Sequence, residues 1–281
     1  MRLLFLSNFY PPASRGGFEQ WCQEVAEGLR NRGHTVQVLT SEHGRGRTED
    51  PNWVHRDLHL EMEIGTLRNA FQFFTHRRRR ERENLVRTRS LVDSFQPDAA
   101  LIWGMWNLQH SIPALVEKRL GLRVAYYMGD YWPTLPNPFE DYWNAPARNA
   151  ITGIPKALLK PLAQAILARA TRPSLRFEHI LFPSKFMMGE FAEKNITANH
   201  ARVIYGAIDT DLYLQDLIKS NADKEEIFLL FVGRLAEEKG VHVAIRAIGL
   251  LARNHGFQNI RLTIVGNGEL GYVSFLHDLA K

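Results

Sequence analysis

Residues 1–40 read MRLLFLSNFY PPASRGGFEQ WCQEVAEGLR NRGHTVQVLT, and this stretch decides the fold class. An apolar run opens it, and a loop with Gly16 and Gly17 leads into a segment whose apolar residues recur at the spacing of one helix face: Phe18, Trp21, Cys22, Val25 and Leu29. Gly33 suits the left-handed turn after a helix, and Thr35–Thr40 is a second apolar run. Strand, helix and strand in this order predict parallel pairing, because parallel strands need a long crossover connection.

The same alternation continues through most of the chain. Further buried strands are predicted at Ala99–Trp103, Leu122–Tyr127, Ile180–Pro183 and Arg202–Tyr205. The stretch that follows, Gly206–Glu226, is polar and has the composition of a domain connection. We therefore expect residues 1–205 to form a first α/β domain, with a mainly parallel sheet covered by helices on both faces.

Residues 206–281 are expected to start a second domain of the same class. Ile227–Gly233 has the composition of a fully buried strand, a helix with apolar residues on one face follows, and Ile260–Gly266 is the partner strand. One strand-helix-strand unit is at most half of a doubly wound domain, so we expect a truncated domain whose sheet edge and one helix-packing face are exposed unless the first domain covers them. The predicted architecture is two Rossmann-like domains that face a cleft.

Composition excludes several classes of protein. The chain has 281 residues, of which 45% are apolar and 23% charged, as in ordinary globular proteins. No apolar run approaches the roughly 20 residues that cross a bilayer, and the opening residues are too short for a secretory signal. The single cysteine, Cys22, allows no intrachain disulfide. A cytoplasmic protein is expected, with peripheral contact to the inner face of the membrane as an option.

The positive charge is concentrated in one segment. Seven arginines and two glutamates between Arg77 and Arg89 give 7 − 2 = +5, which equals the net charge of the whole chain. The segment has the pattern of a helix, so a solvated helix face explains it, and so does docking of Arg77–Arg82 on an anionic membrane surface. No zinc-finger, basic-zipper or RNA-binding pattern accompanies it, and nucleic acid is not an expected partner.

Four loops that follow predicted strands carry candidate ligand-binding residues. Ligands of parallel α/β sheets bind at the carboxyl ends of the strands. Gly16 and Gly17 let the backbone approach an anion at a helix start, and Asp130 could orient or deprotonate a hydroxyl beside aromatic rings. The other two loops belong to the second domain: Gly233, Arg234 and Lys239, whose cations suit a diphosphate, and Gly266, Asn267 and Gly268, which leave room for a ring or ribose. Alternatives without a ligand are a mobile loop with incidental glycines at residues 16–17, a capping aspartate in a packed aromatic loop at residue 130, a chance pair of cations in the third loop and a plain turn in the last.

The order of these segments resembles the family-4 retaining glycosyltransferases of the GT-B fold. The segments are the Gly16-Gly17 loop, Gly33–Thr40, Phe182–Lys185, Val203–Asp209, the Val-Gly-Arg…Glu-Lys-Gly run at 232–240 and Val265–Gly268. The match runs from residue 1 to about residue 270, and the arginine–lysine run is its most specific part.

The resemblance implies a hexosyltransferase that moves a sugar from a nucleotide-diphosphate sugar, with a UDP-sugar favoured, to a glycan or lipid-linked acceptor. It further implies retention of configuration, a place in bacterial polysaccharide synthesis, and no bound metal or other cofactor, because Arg234 and Lys239 hold the diphosphate. Gly16 and Gly17 would face the phosphates and the acceptor, and Gly266–Gly268 the nucleoside. Asp130 stands where many members carry a histidine, and the glutamate pair that contacts donor sugar and ribose in the family falls beyond Lys281.

Several alternatives remain open from the residues themselves. A nucleotide-sugar-binding module without turnover has the same loops, and a basic scaffold at an anionic membrane explains the arginines. Asp209 and Asp211 resemble a metal-binding acidic motif, but their position favours a turn, and His55, His59 and Glu61 have only the residue types of a zinc site. For residues 154–170 the spacing of Leu158, Leu162 and Ile166 favours a packed core helix over one that lies on a membrane.

Overall fold

The computed structural model describes residues 1–13, 16–46, 49–63, 69–147, 150–208, 210, 227–255 and 259–281. The chain divides into two compact units, which we call unit 1 (Met1–Ile208) and unit 2 (Asp209–Lys281). The polar stretch assigned to a domain connection lies mostly outside the described residues, as do Asp209 and Asp211.

Unit 1 is built on a seven-stranded sheet in which every pairing is parallel. Its strands are β1 (Arg2–Ser7), β2 (Thr35–Ser41), β3 (Val54–Leu58), β4 (Ala99–Gly104), β5 (Val124–Tyr127), β6 (His179–Phe182) and β7 (His200–Val203). The spatial order is β3-β2-β1-β4-β5-β6-β7. From β1 the chain adds β2 and β3 on one side of the sheet and then β4 to β7 on the other side. Doubly wound sheets open a ligand crevice at such a switch point, here between β1 and β4.

The connecting helices of unit 1 are α1 (Gly17–Asn31), α2 (Asn69–Thr75), α3 (Arg77–Phe95), α4 (Ser111–Leu120), α5 (Pro138–Asn144), α6 (Ala150–Ala168) and α7 (Lys185–Glu193). Two large apolar clusters contain residues of the central strands. Neighbouring residues of β1 divide between them, Leu4 and Leu6 in one and Phe5 in the other, since alternate side chains of a strand point to opposite faces. The predicted α/β class, with a sheet covered on both faces, is confirmed.

Unit 2 contains two parallel strands, β8 (Ile227–Val232) and β9 (Ile260–Val265), and two helices, α8 (Val241–His255) and α9 (Leu270–Leu279). The interpretation of Ile227–Gly233 as a fully buried strand is wrong, because Leu230 and Val232 are 67% and 69% exposed. An apolar run of this kind is buried only where layers cover both faces of its sheet, and two strands in the described part of unit 2 do not provide them.

The preference for a packed core helix at residues 154–170 is wrong for most of that helix. Leu158 and Leu162 on α6 are 76% and 56% exposed, whereas Ala163 and Leu167 on the opposite side are buried in a third apolar cluster with Phe73. Helical spacing shows that apolar residues share a face, but it does not show which face another element covers. In the described part of the chain, no helix is both long and apolar enough to span a bilayer.

Candidate functional site

The carboxyl ends of β1, β4 and β5 meet the start of α1. The loop after β1 is tied to β4, since the Asn8 N–H donates to the Gly104 carbonyl at 2.8 Å. The Phe18 ring, in the first turn of α1, lies over Gly129 so closely that a Cβ on Gly129 would come within 1.9 Å of it. The indole Nε1 of Trp103 donates to the Phe18 carbonyl at 2.9 Å. The first turn of α1 is thus fixed against the edge where a ligand is expected.

Asp130 lies at this edge, just after β5. Its Oδ1 atom is buried and has no hydrogen-bond partner among the described residues, while the backbone N–H of Trp132 bonds the same carboxylate. Burial and the nearby Glu19 carboxyl raise the pKa of Asp130 to about 7. A carboxyl with this pKa and a free oxygen exchanges protons near neutral pH, as a general base or acid must.

Sequence reasoning missed Glu19. This side chain is buried, and its Oε2 atom accepts a hydrogen bond from the Gly16 N–H at 3.0 Å, which is the half of a capping box that a glycine N-cap allows. The spacing of Gly16 and Glu19, three residues apart at a helix start, was the available signal. Gly17 faces open space, since a Cβ added there would have no atom within 4 Å. Ser14 and Arg15 lie outside the described residues.

A second polar feature of unit 1 is a cavity of about 400 Å³, called here the arginine cavity. The starts of α3 and α4, the start of α5 and the end of α6 surround it. The charged residues and histidine of its lining are Glu61, Arg77, Arg78, Glu81, His110, Glu140, Arg169 and Arg172. Its lining has four guanidinium groups against three carboxyls, a composition that suits a hydrated anion or an anionic sugar.

Two lining residues of the arginine cavity, Glu61 and His110, are strongly desolvated. Burial raises the pKa of Glu61 to about 7, although the Asn137 side-chain amide donates to its Oε2 at 2.5 Å. Burial also lowers the pKa of His110 to about 3, with a contribution from the Arg172 charge. The His110 ring packs edge-on against Trp132 with ring centroids 4.8 Å apart, so the cavity adjoins the loop that carries Asp130.

In unit 2 the loops after β8 and β9 continue to pair beyond the strands. Gly233 N–H donates to Val265 O at 3.0 Å, and Leu235 N–H donates to Asn267 O at 2.8 Å. A Cβ on Gly266 would lie 1.8 Å from the Gly233 carbonyl oxygen. Close packing of two backbones therefore accounts for the glycines, in addition to any room that they leave for a ligand.

The two predicted cations of unit 2 are both exposed. Arg234 forms an ion pair with Glu238 at 2.7 Å, with each side chain more than 60% exposed. Lys239 ends a short 3-10 helix (Glu237–Lys239), and among the residues described it forms no ion pair. An exposed pair of this kind contributes at most about 1 kcal/mol, so an incoming diphosphate can replace Glu238 as the partner of Arg234.

The candidate zinc residues have separate partners. His59 Nδ1 contacts Glu42 at 2.8 Å and His59 Nε2 contacts Glu83 at 2.9 Å, while Glu61 bonds Asn137. Within the ranges that the structure covers, no three His, Cys, Asp or Glu side chains come together as a metal site.

The predicted site residues fall into two groups. Those of unit 1 lie at the carboxyl ends of its strands: Gly16, Gly17 and Asp130. Those of unit 2 follow β8 and β9: Gly233, Arg234, Lys239, Gly266, Asn267 and Gly268.

Several solved structures share the fold of this chain at low sequence identity. Trehalose-6-phosphate synthase OtsA matches with a TM-score of 0.52 at 16% identity, and the match covers 99% of this chain and 68% of the OtsA chain. The lipopolysaccharide outer core galactosyltransferase WaaB, in its apo form, has a TM-score of 0.53 at 14% identity and covers 99% and 65%. A structure described as trehalose-6-phosphate from E. coli bound with UDP-2-fluoro glucose has a TM-score of 0.50 at 16% identity, covering 99% and 67%. These likenesses show the GT-B type of α/β fold.

Two curated relatives match nearly the whole chain. The alpha-1,3/1,6-mannosyltransferase ALG2 of Yarrowia lipolytica is 25% identical over 280 residues, which is 95% of this chain and 55% of that protein. The uncharacterized glycosyltransferase MJ1607 of Methanocaldococcus jannaschii is 22% identical over 302 residues, which is 99% of this chain and 66% of that protein. The chain thus spans about half to two thirds of the length of these relatives.

Two family models match in succession along the sequence. The model for glycosyl transferases group 1 matches residues 215–280, within unit 2. The model for glycosyltransferase family 4 matches residues 15–212, which is more than half of the chain. On this match, the chain belongs to glycosyltransferase family 4.

Proposed function

We propose that the chain transfers a hexose from a nucleotide-diphosphate sugar, preferably a UDP-sugar, to a glycan or lipid-linked acceptor in polysaccharide synthesis, with retained configuration and without a bound metal. The observation that carries this proposal is the paired loop of unit 2, where two exposed cations follow a parallel strand. One solved structure with this fold is described as bound with a UDP-sugar derivative, UDP-2-fluoro glucose, which supports the choice of donor.

Arg234 and Lys239 are assigned to the diphosphate of the donor. A guanidinium can donate two parallel hydrogen bonds to phosphate oxygens, and an ammonium adds a compact charge beside them. Charge accumulates on the diphosphate as the sugar–phosphate bond breaks, so both cations stabilise the transition state more than the bound donor. This is the role that a metal ion plays at other diphosphates.

The carboxyl of Asp130 is assigned to the acceptor. Its buried, unpartnered Oδ1 can accept a hydrogen bond from an acceptor hydroxyl, and its pKa of about 7 allows ionised and protonated forms at neutral pH. Glu19 acts through Asp130, because a second carboxyl nearby helps keep that pKa high. The arginine cavity, joined to this loop by His110 and Trp132, suits an acceptor that carries phosphate or carboxylate.

Replacement of Arg234 tests the donor assignment. We expect Arg234→Ala to lower kcat/KM for sugar transfer by about 100- to 1,000-fold, or about 3–4 kcal/mol, as for loss of one oxyanion donor. The matched control is Arg246→Ala, since Arg246 is an exposed arginine of α8 in the same unit. Transfer within twofold of wild type in Arg234→Ala would show that the arginine does not hold the donor.

A nucleotide-sugar-binding module without turnover is the second candidate function, because the paired loops of unit 2 that are assigned to the donor serve binding whether or not transfer follows. Calorimetry with a UDP-sugar, run beside an assay for released UDP, separates the two. Binding together with release that depends on an acceptor supports the transferase, whereas binding without any release supports the module.

Contact of the tract Arg77–Arg82 with an anionic membrane surface is the last part of the proposal. The tract lies in the first turns of α3, where Arg78, Arg79 and Arg82 are exposed. Arg79 pairs with Glu83 and Arg80 with Glu63, so Arg78 and Arg82 are the more available charges. Each such charge near an anionic bilayer contributes about 1 kcal/mol to binding.

A further inference from the structure

Helix α6 has two apolar faces, and only one of them is covered. Ala163 and Leu167 pack against the aromatic cluster of Phe73, Phe139 and Trp143. On the other side Ile154, Leu158 and Leu162, called here the aliphatic stripe, are 68%, 76% and 56% exposed. Their spacing of four residues puts them in one row along the helix. A helix at a water-facing surface ordinarily carries polar side chains in such a row.

The charges around the aliphatic stripe are all positive on the helix itself. The 19 residues of α6 include Lys156 and Lys160 and no carboxylate. Lys156 extends over the Tyr142 ring and donates to the Ala145 carbonyl at 2.7 Å, so its aliphatic stem lies along the protein surface. Apolar residues flanked by lysines are typical of helices that lie in a membrane interface, because lysine stems reach from the acyl level to the phosphates.

The end of α6 adds further cations. Ile166, Leu167 and Arg169 line the arginine cavity together with Arg77 and Arg78 of α3. In the described part of the chain Arg77, Arg78 and Arg169 form no ion pair, although Arg77 lies over the Phe73 ring at 5.3 Å. The helix that carries the aliphatic stripe therefore leads directly to Arg169, which shares the arginine cavity with Arg77 and Arg78 of the tract Arg77–Arg82.

We propose that the aliphatic stripe inserts into the interface of an anionic lipid bilayer, while Lys160 of α6 and the free arginines of the cavity bind lipid phosphates. Aliphatic burial and electrostatic attraction are the two signals that together give stable peripheral attachment. The inference deepens the proposed membrane contact, and it rests on that proposal for the role of Arg77–Arg82. Its test requires no sugar transfer, so its failure leaves the transferase proposal standing.

Sedimentation of the full chain with vesicles tests the insertion. Vesicles of phosphatidylcholine with about one third phosphatidylglycerol are expected to bind the protein at least tenfold more tightly than phosphatidylcholine alone. The variant Leu158→Gln/Leu162→Gln is expected to lose at least tenfold of that binding. The control is Leu122→Gln/Phe186→Gln, two exposed apolar residues of unit 1 outside α6, and it is expected to remain within twofold of wild type. Circular dichroism checks that each variant is folded.

A label on the stripe gives a second, local readout. Cys22 is the sole cysteine and is buried, so Leu158→Cys introduces the one exposed thiol, which can carry an environment-sensitive fluorophore. A blue shift with anionic vesicles supports insertion at residue 158, and the same label in Leu122→Cys is expected to show none. Vesicle binding that is unchanged in the glutamine variant, or absent in wild type, overturns the proposal. So does a concentration-dependent dimer that this variant abolishes.

Discussion

The Asp130 carboxyl titrates near neutral pH because it is buried beside Glu19. Its pKa in the folded chain, about 7, is above the usual value of 3.8, so the folded state binds the proton more tightly than the unfolded state does. Stability from this group is therefore complete below about pH 4 and is lost as the pH rises to about 7. Buried acids of this kind are typical of catalytic positions.

Asp130→Asn removes this titration. We expect the variant to gain stability relative to wild type between pH 4 and pH 8, by at most about 2–4 kcal/mol, because asparagine carries no charge to bury. Urea unfolding at the two pH values measures the change. Glu61→Gln, which removes the other carboxyl with a pKa of about 7, serves as a comparison in the same window. A difference between Asp130→Asn and wild type that stays constant with pH would show that Asp130 is ionised throughout.

Gly266 is required by the approach of two backbones. We expect Gly266→Ala to destabilise unit 2 by about 1–3 kcal/mol, since its Cβ would overlap the Gly233 carbonyl oxygen and a backbone atom cannot rotate away. Amide hydrogen exchange of β8 and β9 reports the loss. Gly271→Ala, in the first turn of α9 with open space around it, is expected to leave exchange unchanged or slower. Equal exchange in both variants would contradict this account.

At the scale of elements, Asn84 attaches α3 to the sheet. Its side chain is fully buried and bonds His59 at both backbone groups, accepting from the N–H at 2.7 Å and donating to the carbonyl at 2.8 Å. It also donates to Gln109 Oε1 at 2.7 Å. One amide on α3 thus bonds both the residue that follows β3 and a residue just before the start of α4.

Asn84→Leu is expected to cost about 2–4 kcal/mol of unfolding free energy, because it removes two part-buried bonds to the His59 backbone and the buried bond to Gln109. Urea unfolding measures the cost. Val86→Asn, an exposed position on the same helix, is the control and should change stability by less than about 0.5 kcal/mol. A loss below about 1 kcal/mol for Asn84→Leu would mean that water replaces the amide.

The elements also show how far sequence reasoning reaches. The first strand-helix-strand unit can be predicted almost to the residue, because apolar periodicity and Gly33 mark its boundaries. The exposure of Leu158 and Leu162 on α6 cannot be predicted in this way, because the spacing of apolar residues is the same whether their face packs against protein or meets solvent. The place of Glu61 in the arginine cavity is equally hidden: its bond to Asn137 joins residues 76 positions apart, and such contacts leave no local pattern.

At the scale of the whole molecule, each unit has its own sheet. The three apolar clusters of buried residues found in the described part of the chain consist of unit 1 residues. These clusters therefore support the local geometry of Asp130, whereas the β8–β9 pairing and its loop hydrogen bonds support that of Arg234 and Lys239. Their assignment to one reaction remains a prediction.

Ile102→Ala tests this separation. Ile102 is fully buried in β4, so its truncation is expected to cost about 2–5 kcal/mol and to speed amide exchange in β1, β4 and β5. Amides of β8 and β9 are expected to exchange as in wild type. Equal acceleration in both units would show that the chain unfolds as a single cooperative body.

The hydrogen bond from Trp103 to the Phe18 carbonyl has a spectroscopic consequence. The indole also stacks on Tyr127, with ring centroids 4.4 Å apart, so its environment includes both that ring and the first turn of α1. An occupant at Gly17 that shifts this turn alters the polarity around the indole and hence its emission. Subtracting the spectrum of Trp103→Phe isolates that response, which makes the protein an intrinsic fluorescent indicator of its own occupancy.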